Sequence, residues 1–170
     1  LQLFVEQRIK SFMGTRNYSY DVIDSVMDYM WTEPFRGFLW ASFLMEKKGA
    51  SSLEDLKSMI ETITRIKNLS KKAEDNASEL GCDEMLFKQE EEKDAKIKID
   101  WFLDSVDIND ISTAYDGFLT IIPVFSRYFE KVMVMDEDLS VRTNRLRFLQ
   151  SVDINVLSCF PDLSKLSIPK

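Results

Sequence analysis

Apolar positions recur three and four residues apart along most of the chain, the spacing of a helix with one buried face. Leu1, Phe4, Val5, Ile9 and Phe12 form the first series, and Gly14 offers it a stop. Ser19 is placed to cap a second helix, with Val22, Ile23, Val26, Met27 and Met30 on one face and Asp21 in the first turn, where the helix dipole favours an acid. Glu33-Pro34 starts a third, which carries Phe35, Phe38, Leu39, Phe43 and Leu44 as far as Gly49. Ser51 or Ser52, with Glu54 or Asp55 three positions on, makes a capping box for a longer helix from about Leu53 to about Lys72.

The pattern then changes. Residues 73–86 read as a loop with one short turn, and the charged run from Phe87 as a solvated helix gaining an apolar face at Ile97, Trp101 and Leu103 or Phe102. Asp107 is a candidate cap for a helix through Ile111, Tyr115 and Phe118, which Pro123 breaks. Helices over 124–132 and 139–152 complete the set. No segment alternates convincingly as a strand, so the fold class is all-α: a bundle of about seven or eight helices forming a single domain over 1–170. The octapeptides FLDSVDIN (102–109) and FLQSVDIN (148–155) nearly coincide, but their flanks differ and no third copy exists, so a solenoid is not indicated.

Composition narrows the functional classes. Five Gly and four Pro are few for a sandwich or barrel, and 45% hydrophobic content with twelve Phe supports a packed core. Histidine is absent, which removes His-based triads and His metal sites. Cys82 and Cys159 form no CxxC pair and fit a reducing compartment. There is no glycine-rich phosphate loop, GxSxG or HExxH, and Glu90, Glu91 and Glu92 splay around a helix instead of converging. No catalytic residue, metal site or cofactor is therefore expected in this chain. Its apolar runs fall short of the ~20 residues that cross a bilayer, so no membrane partner is expected. A chain that opens directly in helical periodicity, with Leu1 and no initiator Met, is expected to be a piece of a larger protein.

Helical wheels sort the cations. With Leu139 at zero and about 100° per residue, Val141, Leu146, Phe148, Leu149 and Val152 span about 180° to 360°, a sector that also holds Arg142 and Arg145. An arginine on a packed face needs a carboxylate or carbonyls, so Arg142 and Arg145 are expected to be structural, Arg142 through an ion pair inside the bundle. Asp136, Glu137 and Asp138 are expected to cap the helix and oppose its dipole. Asn144 and Arg147 point away and are expected to be free for a ligand. On the helix from Leu53, Arg65, Asn68 and Lys72 form a polar row with Glu61, and Lys71 lies beside it. The row suits phosphate and base-edge contacts; plain solvated surface with a Glu61–Arg65 pair across one turn is the other reading. A net charge of −7 argues against a freestanding nucleic-acid binder, and suits a module that reads a few nucleotides while neighbouring domains supply most of the affinity.

Three segments, in order, resemble a known family. YFEKVMVMDEDLSVRTNRLRFL (128–149) is similar to the C-terminal signature of the beta subunit of bacterial-type, two-subunit glycyl-tRNA synthetases through Phe129, Val132, Met133, Val134, Met135, Arg142, Asn144, Arg145 and Leu146. ITRIKNLSKKA (63–73) resembles its KR-x-x-NI segment through Arg65 and Asn68, and YSYDVIDSVM (18–27) its Y-x-x-DVIDAV helix through Asp21, Val22, Ile23 and Asp24. The family's Lys before Arg is Thr64 here, and Ser140 stands where Ala is usual. The resemblance implies a helical DALR-type anticodon-binding domain at the end of the subunit, with tRNA(Gly), the alpha subunit and the remaining beta-subunit domains as partners and no DNA. In that family ATP and Mg act at the alpha subunit, which activates glycine, so this fragment would hold no cofactor. The expected setting is a bacterial cytoplasm or an organelle's stroma or matrix. Joined to the wheels, the resemblance nominates Arg65, Asn68, Lys71, Lys72, Asn144 and Arg147 for RNA, with Arg142, Arg145 and Asp138 holding the fold. The alternative is a helical protein–protein docking module within the synthetase, which an exposed apolar patch around Phe118 to Phe129 would mark.

Overall fold

The computed structural model describes residues 2–49, 53–73 and 81–167. Among them are eight α-helices and no strand: α1 (Gln2–Gly14), α2 (Tyr20–Thr32), α3 (Pro34–Gly49), α4 (Leu53–Ser70), α5 (Glu90–Ser105), α6 (Ile111–Leu119), α7 (Ile122–Lys131) and α8 (Leu139–Asn155). The all-α expectation holds, and Pro123 falls in the first turn of α7, where its missing N–H costs nothing. Three 3₁₀ turns, Glu84–Leu86, Leu157–Cys159 and Leu163–Lys165, complete the fold; the last two lie in a tail for which the periodicity predicts no element.

Contacts divide the chain into two compact units, residues 1–60 with 160–170, and 61–159. In the first, α2 packs against α3 over a core that includes Val22, Val26, Met30, Trp40 and Leu44. A Cβ at Gly37 would sit 3.0 Å from Met30 Cε, so glycine there lets the two helices approach closely. The tail closes onto α2: Asp162 N donates to Ser25 O at 2.9 Å, and Phe160 packs on Trp40 at 5.6 Å. Asp21 gathers Lys48 of α3, the Ser19 hydroxyl at 2.6 Å and the Ser167 N–H at 2.8 Å. Ser19 thus stands at the start of α2, but its hydroxyl serves Asp21 and no helical N–H. α1 ends at Gly14, as expected, and Asn17, at φ 65°, takes the left-handed turn that follows.

In the second unit α5 packs against α7, with Phe102, Phe118, Phe125, Tyr128 and Phe148 fully or almost fully buried. The predicted face of α5 holds at Phe102 alone. Ile97, Trp101 and Leu103 are 67%, 40% and 43% exposed, and the buried row is Glu92, Ala95, Ile99 and Phe102. The cap of α6 is Asp110, whose carboxylate accepts from Thr113 N at 2.7 Å, while Asp107 closes a turn through Asn109 N. The two octapeptides also part company: α5 ends within the first, at Ser105, and α8 runs through the second to Asn155. The Ser51 and Ser52 caps lie outside the described residues.

Candidate nucleic-acid interface

Arg65, Asn68, Lys71 and Lys72 all face water on the last two turns of α4 and the turn that follows. Apolar Ile63 and Ile66 and the Ser70 hydroxyl take the opposite, buried side. That hydroxyl reaches Asp153 of α8 at 2.5 Å and so fixes where α4 ends. Arg65 makes its contacts to α7 and not to Glu61: its guanidinium lies 4.3 Å over the Phe129 ring and donates to the Phe129 carbonyl at 3.3 Å. Phe129 in turn packs edge-on against Tyr128 at 5.4 Å, so a planar cation is held at the surface by an aromatic stack.

The residues of α8 do not divide as the wheel expects. Arg145, 2% exposed, is the buried ion pair: its Nε and Nη2 reach the two oxygens of Glu92 at 2.8 and 3.0 Å, and its Nη1 reaches Asp136 at 2.8 Å and the Met133 carbonyl at 3.0 Å. Glu92 completes its shell with the N–H groups of Lys88 and Gln89 at 2.9 and 3.0 Å. A pair so fully hydrogen-bonded offsets its desolvation, whereas a lone charge at that depth would not. Hydrogen bonding to Glu92 raises the affinity of Arg145 for its proton, and the Asp138 N–H helps hold Asp136 below the ordinary carboxylate range.

Arg142 is only half-buried and has no ion pair among the described residues, which corrects its structural assignment. Asn144 is the opposite correction. Expected to be free, it is 5% exposed and clamps Asp83, accepting from its N–H at 2.7 Å and donating to its carbonyl at 2.9 Å. The two errors have different sources: the segment at Asp83 packs on the side of α8 that the wheel left to solvent, and the sector around Arg142 includes Leu139, which is 62% exposed. Asp138 caps α8 as expected, accepting from Ser140 N at 3.0 Å and Val141 N at 3.4 Å. The Ser140 hydroxyl, with these N–H groups, holds its carboxyl down at about 2.

The chain therefore brings Lys72, Arg142 and Arg147 to one cleft of about 260 Å³, walled by Met135, Leu139, Thr143 and Leu146. A wider hollow of about 740 Å³ lies across the ridge of Leu139, Thr143 and Arg147, bounded by Gly81, Cys82, Asp83 and Leu86. Lys71, Lys72, Arg142 and Arg147 have no carboxylate partner among the described residues. Among those residues no three His, Cys, Asp or Glu side chains converge as a metal site, and no helix is long and apolar enough to cross a membrane.

A family model described as the DALR anticodon binding domain matches residues 59–161, more than half of the chain. The chain belongs to that family. Its DALR match coincides closely with the second unit, the one that carries the α4 row and the cleft. Relatives extend over the first unit too. The chain is 34% identical over 166 residues to the glycine–tRNA ligase beta subunit of Lactobacillus gasseri, which covers 97% of the chain and 23% of that protein. It is 29% identical over 170 residues to the protein of the same name from Clostridioides difficile, covering 96% and 23%. The chain thus spans about a quarter of the length of these relatives.

The signature segment of this DALR domain is largely occupied with its own fold. Val132 and Val134 are buried, Met133 and Asp136 hold Arg145, Asp138 caps α8, and Asn144 clamps Asp83. The exposed patch around Phe118 to Phe129 that would mark the docking alternative is not formed by Phe118, Phe125 and Tyr128, which are fully buried. Sequence reasoning missed Glu92, whose spacing to Ala95, Ile99 and Phe102 was the available signal, and Phe129 as the seat of Arg65, for which no local signal exists.

Proposed function

We propose that this chain is the RNA-recognition module of a glycine–tRNA ligase beta subunit, binding the anticodon stem and loop of tRNA(Gly) while glycine activation takes place on the alpha subunit with ATP and Mg. The observation that carries the reading is the convergence of unpaired, water-facing cations within the DALR match of an otherwise acidic chain. Arg65 and Asn68 on α4, with Lys71 and Lys72 on the turn that follows it, face water, and Arg147 stands on the ridge of α8. Lysines and arginines of this kind position a ribose-phosphate chain, and the guanidinium plane of Arg65, backed by Phe129, offers a stacking surface for an unstacked base.

The test uses the complete two-subunit enzyme. Arg65→Ala with Lys72→Ala should lower kcat/KM for tRNA(Gly) aminoacylation by about tenfold to a hundredfold, as loss of two charge-assisted contacts requires. Glycine-dependent ATP–pyrophosphate exchange should stay within twofold of the parent. Equal loss of both activities would overturn the reading.

The first unit favours a second, compatible role. Phe4, Val5, Ile9, Phe12, Pro34 and Phe38 line an apolar groove of about 360 Å³, with Phe4 56% and Phe12 46% exposed. Its occupant on this reading is another segment of the same beta subunit, because the matched relatives are about four times the length of this chain.

A further inference from the structure

The cleft between Lys72 and α8 joins two features that seldom meet on a protein surface. One is a cation, Arg142, half-buried and with no carboxylate partner among the described residues, flanked by Lys72 and Arg147. Of the acids just before it, Asp136 is committed to Arg145 and Asp138 to the cap of α8. The other is a set of large apolar side chains left in water: Leu139 and Met135 are 62% and 45% exposed, above the buried Leu146. Cations beside apolar walls fit a ligand that is anionic at one end and flat and apolar at the other. At about 260 Å³ the cleft is smaller than the roughly 300–1,000 Å³ pockets that take drug-sized molecules. Resting on the RNA-binding reading, the geometry points to this cleft as the seat of a single unstacked loop nucleotide, its base against Leu139, Met135 and Leu146 and its phosphate on Arg142 with Lys72 and Arg147.

Arg142 then discriminates in a way the α4 row does not, because it demands a flipped-out nucleotide where Arg65 and Lys71 need only backbone or an exposed base face. The experiment measures binding of a tRNA(Gly) anticodon stem-loop to the complete enzyme, with each loop position made abasic in turn. Arg142→Gln should weaken the unmodified stem-loop about tenfold and reduce the slope of log Kobs against log salt by about 0.7, the single-strand value for one lost phosphate contact. Leu139→Ala, a change at an exposed position, should weaken it severalfold without altering that slope. One abasic position should lose affinity on the parent and lose no further affinity on Leu139→Ala, the mark of two changes removing one contact. Parent-like binding by both variants, with Arg65→Ala still defective, would overturn the nucleotide seat and leave RNA recognition standing. Parent-like binding by all three would overturn both.

Discussion

At the scale of single residues, Arg145 is the most committed side chain of the second unit. Its neighbours Arg142 and Arg147 carry the same charge and stand three and two residues away, yet only Arg145 reaches Glu92. Truncating it leaves the Glu92 carboxylate buried with one hydrogen-bonding wall removed. Arg145→Ala should therefore cost about 3–5 kcal/mol, which lowers Tm by about 10 °C in a chain of this size; a shift under about 2 °C in thermal unfolding would contradict the assignment. The wheel could not tell Arg142 from Arg145, since both lie inside the apolar sector and only the distant Glu92 distinguishes them. Leu139 counts as apolar but sits at the first helical position, where a side chain can hang over the helix end in water. Without it, the apolar sector on the wheel ends near about 340°, still with Arg142 inside it and Asn144 outside. Asn144's partner, Asp83, lies 61 residues away, a pairing no local pattern encodes.

At the scale of elements, helices were legible because their apolar faces repeat, and their ends were less so because caps trade places. Ser19 sits at the N-cap of α2 and α1 ends at Gly14 as expected, but the Ser19 hydroxyl goes to Asp21, and Asp110 in place of Asp107 caps α6 through Thr113 N. Asp21 has the widest reach of these, joining α2 to the end of α3 and to the tail. Burial would push its carboxyl up, but hydrogen bonds from Lys48, Ser19 and the Ser167 N–H outweigh that and hold it at about 2, below the 3.8 of a free carboxyl. A group with a depressed folded pKa stabilises above its unfolded pKa and ceases to as pH falls through the folded one. Asp21→Asn should thus be less stable than the parent by about 2 kcal/mol near neutrality, with the gap closing between about pH 4 and pH 2 in urea unfolding curves. A gap that persists at pH 2 would show that the carboxylate's charge is not what ties these elements.

At the scale of the whole molecule, the periodicity suggests one domain and the contacts form two compact units, of which the DALR match covers the second. The division was hidden because α4 runs unbroken from Leu53 to Ser70, so no loop, proline or glycine marks the place. The apolar groove of the first unit bears on the larger protein. Phe4→Ser with Phe12→Ser, both at exposed positions, should leave the melting of this chain within about 2 °C and make the full-length subunit cleave faster in limited proteolysis; unchanged cleavage would argue that nothing in the subunit covers the groove. The inward commitment of the 132–146 signature has its own corollary. A profile weighted on the buried valines, the capping acids and Asn144-Arg145 detects the framework and is blind to what the framework presents, so two chains could score alike while surface positions such as Lys71 and Lys72 had diverged. Among relatives of this chain, changes of specificity are to be sought in the residues that such a profile weighs least.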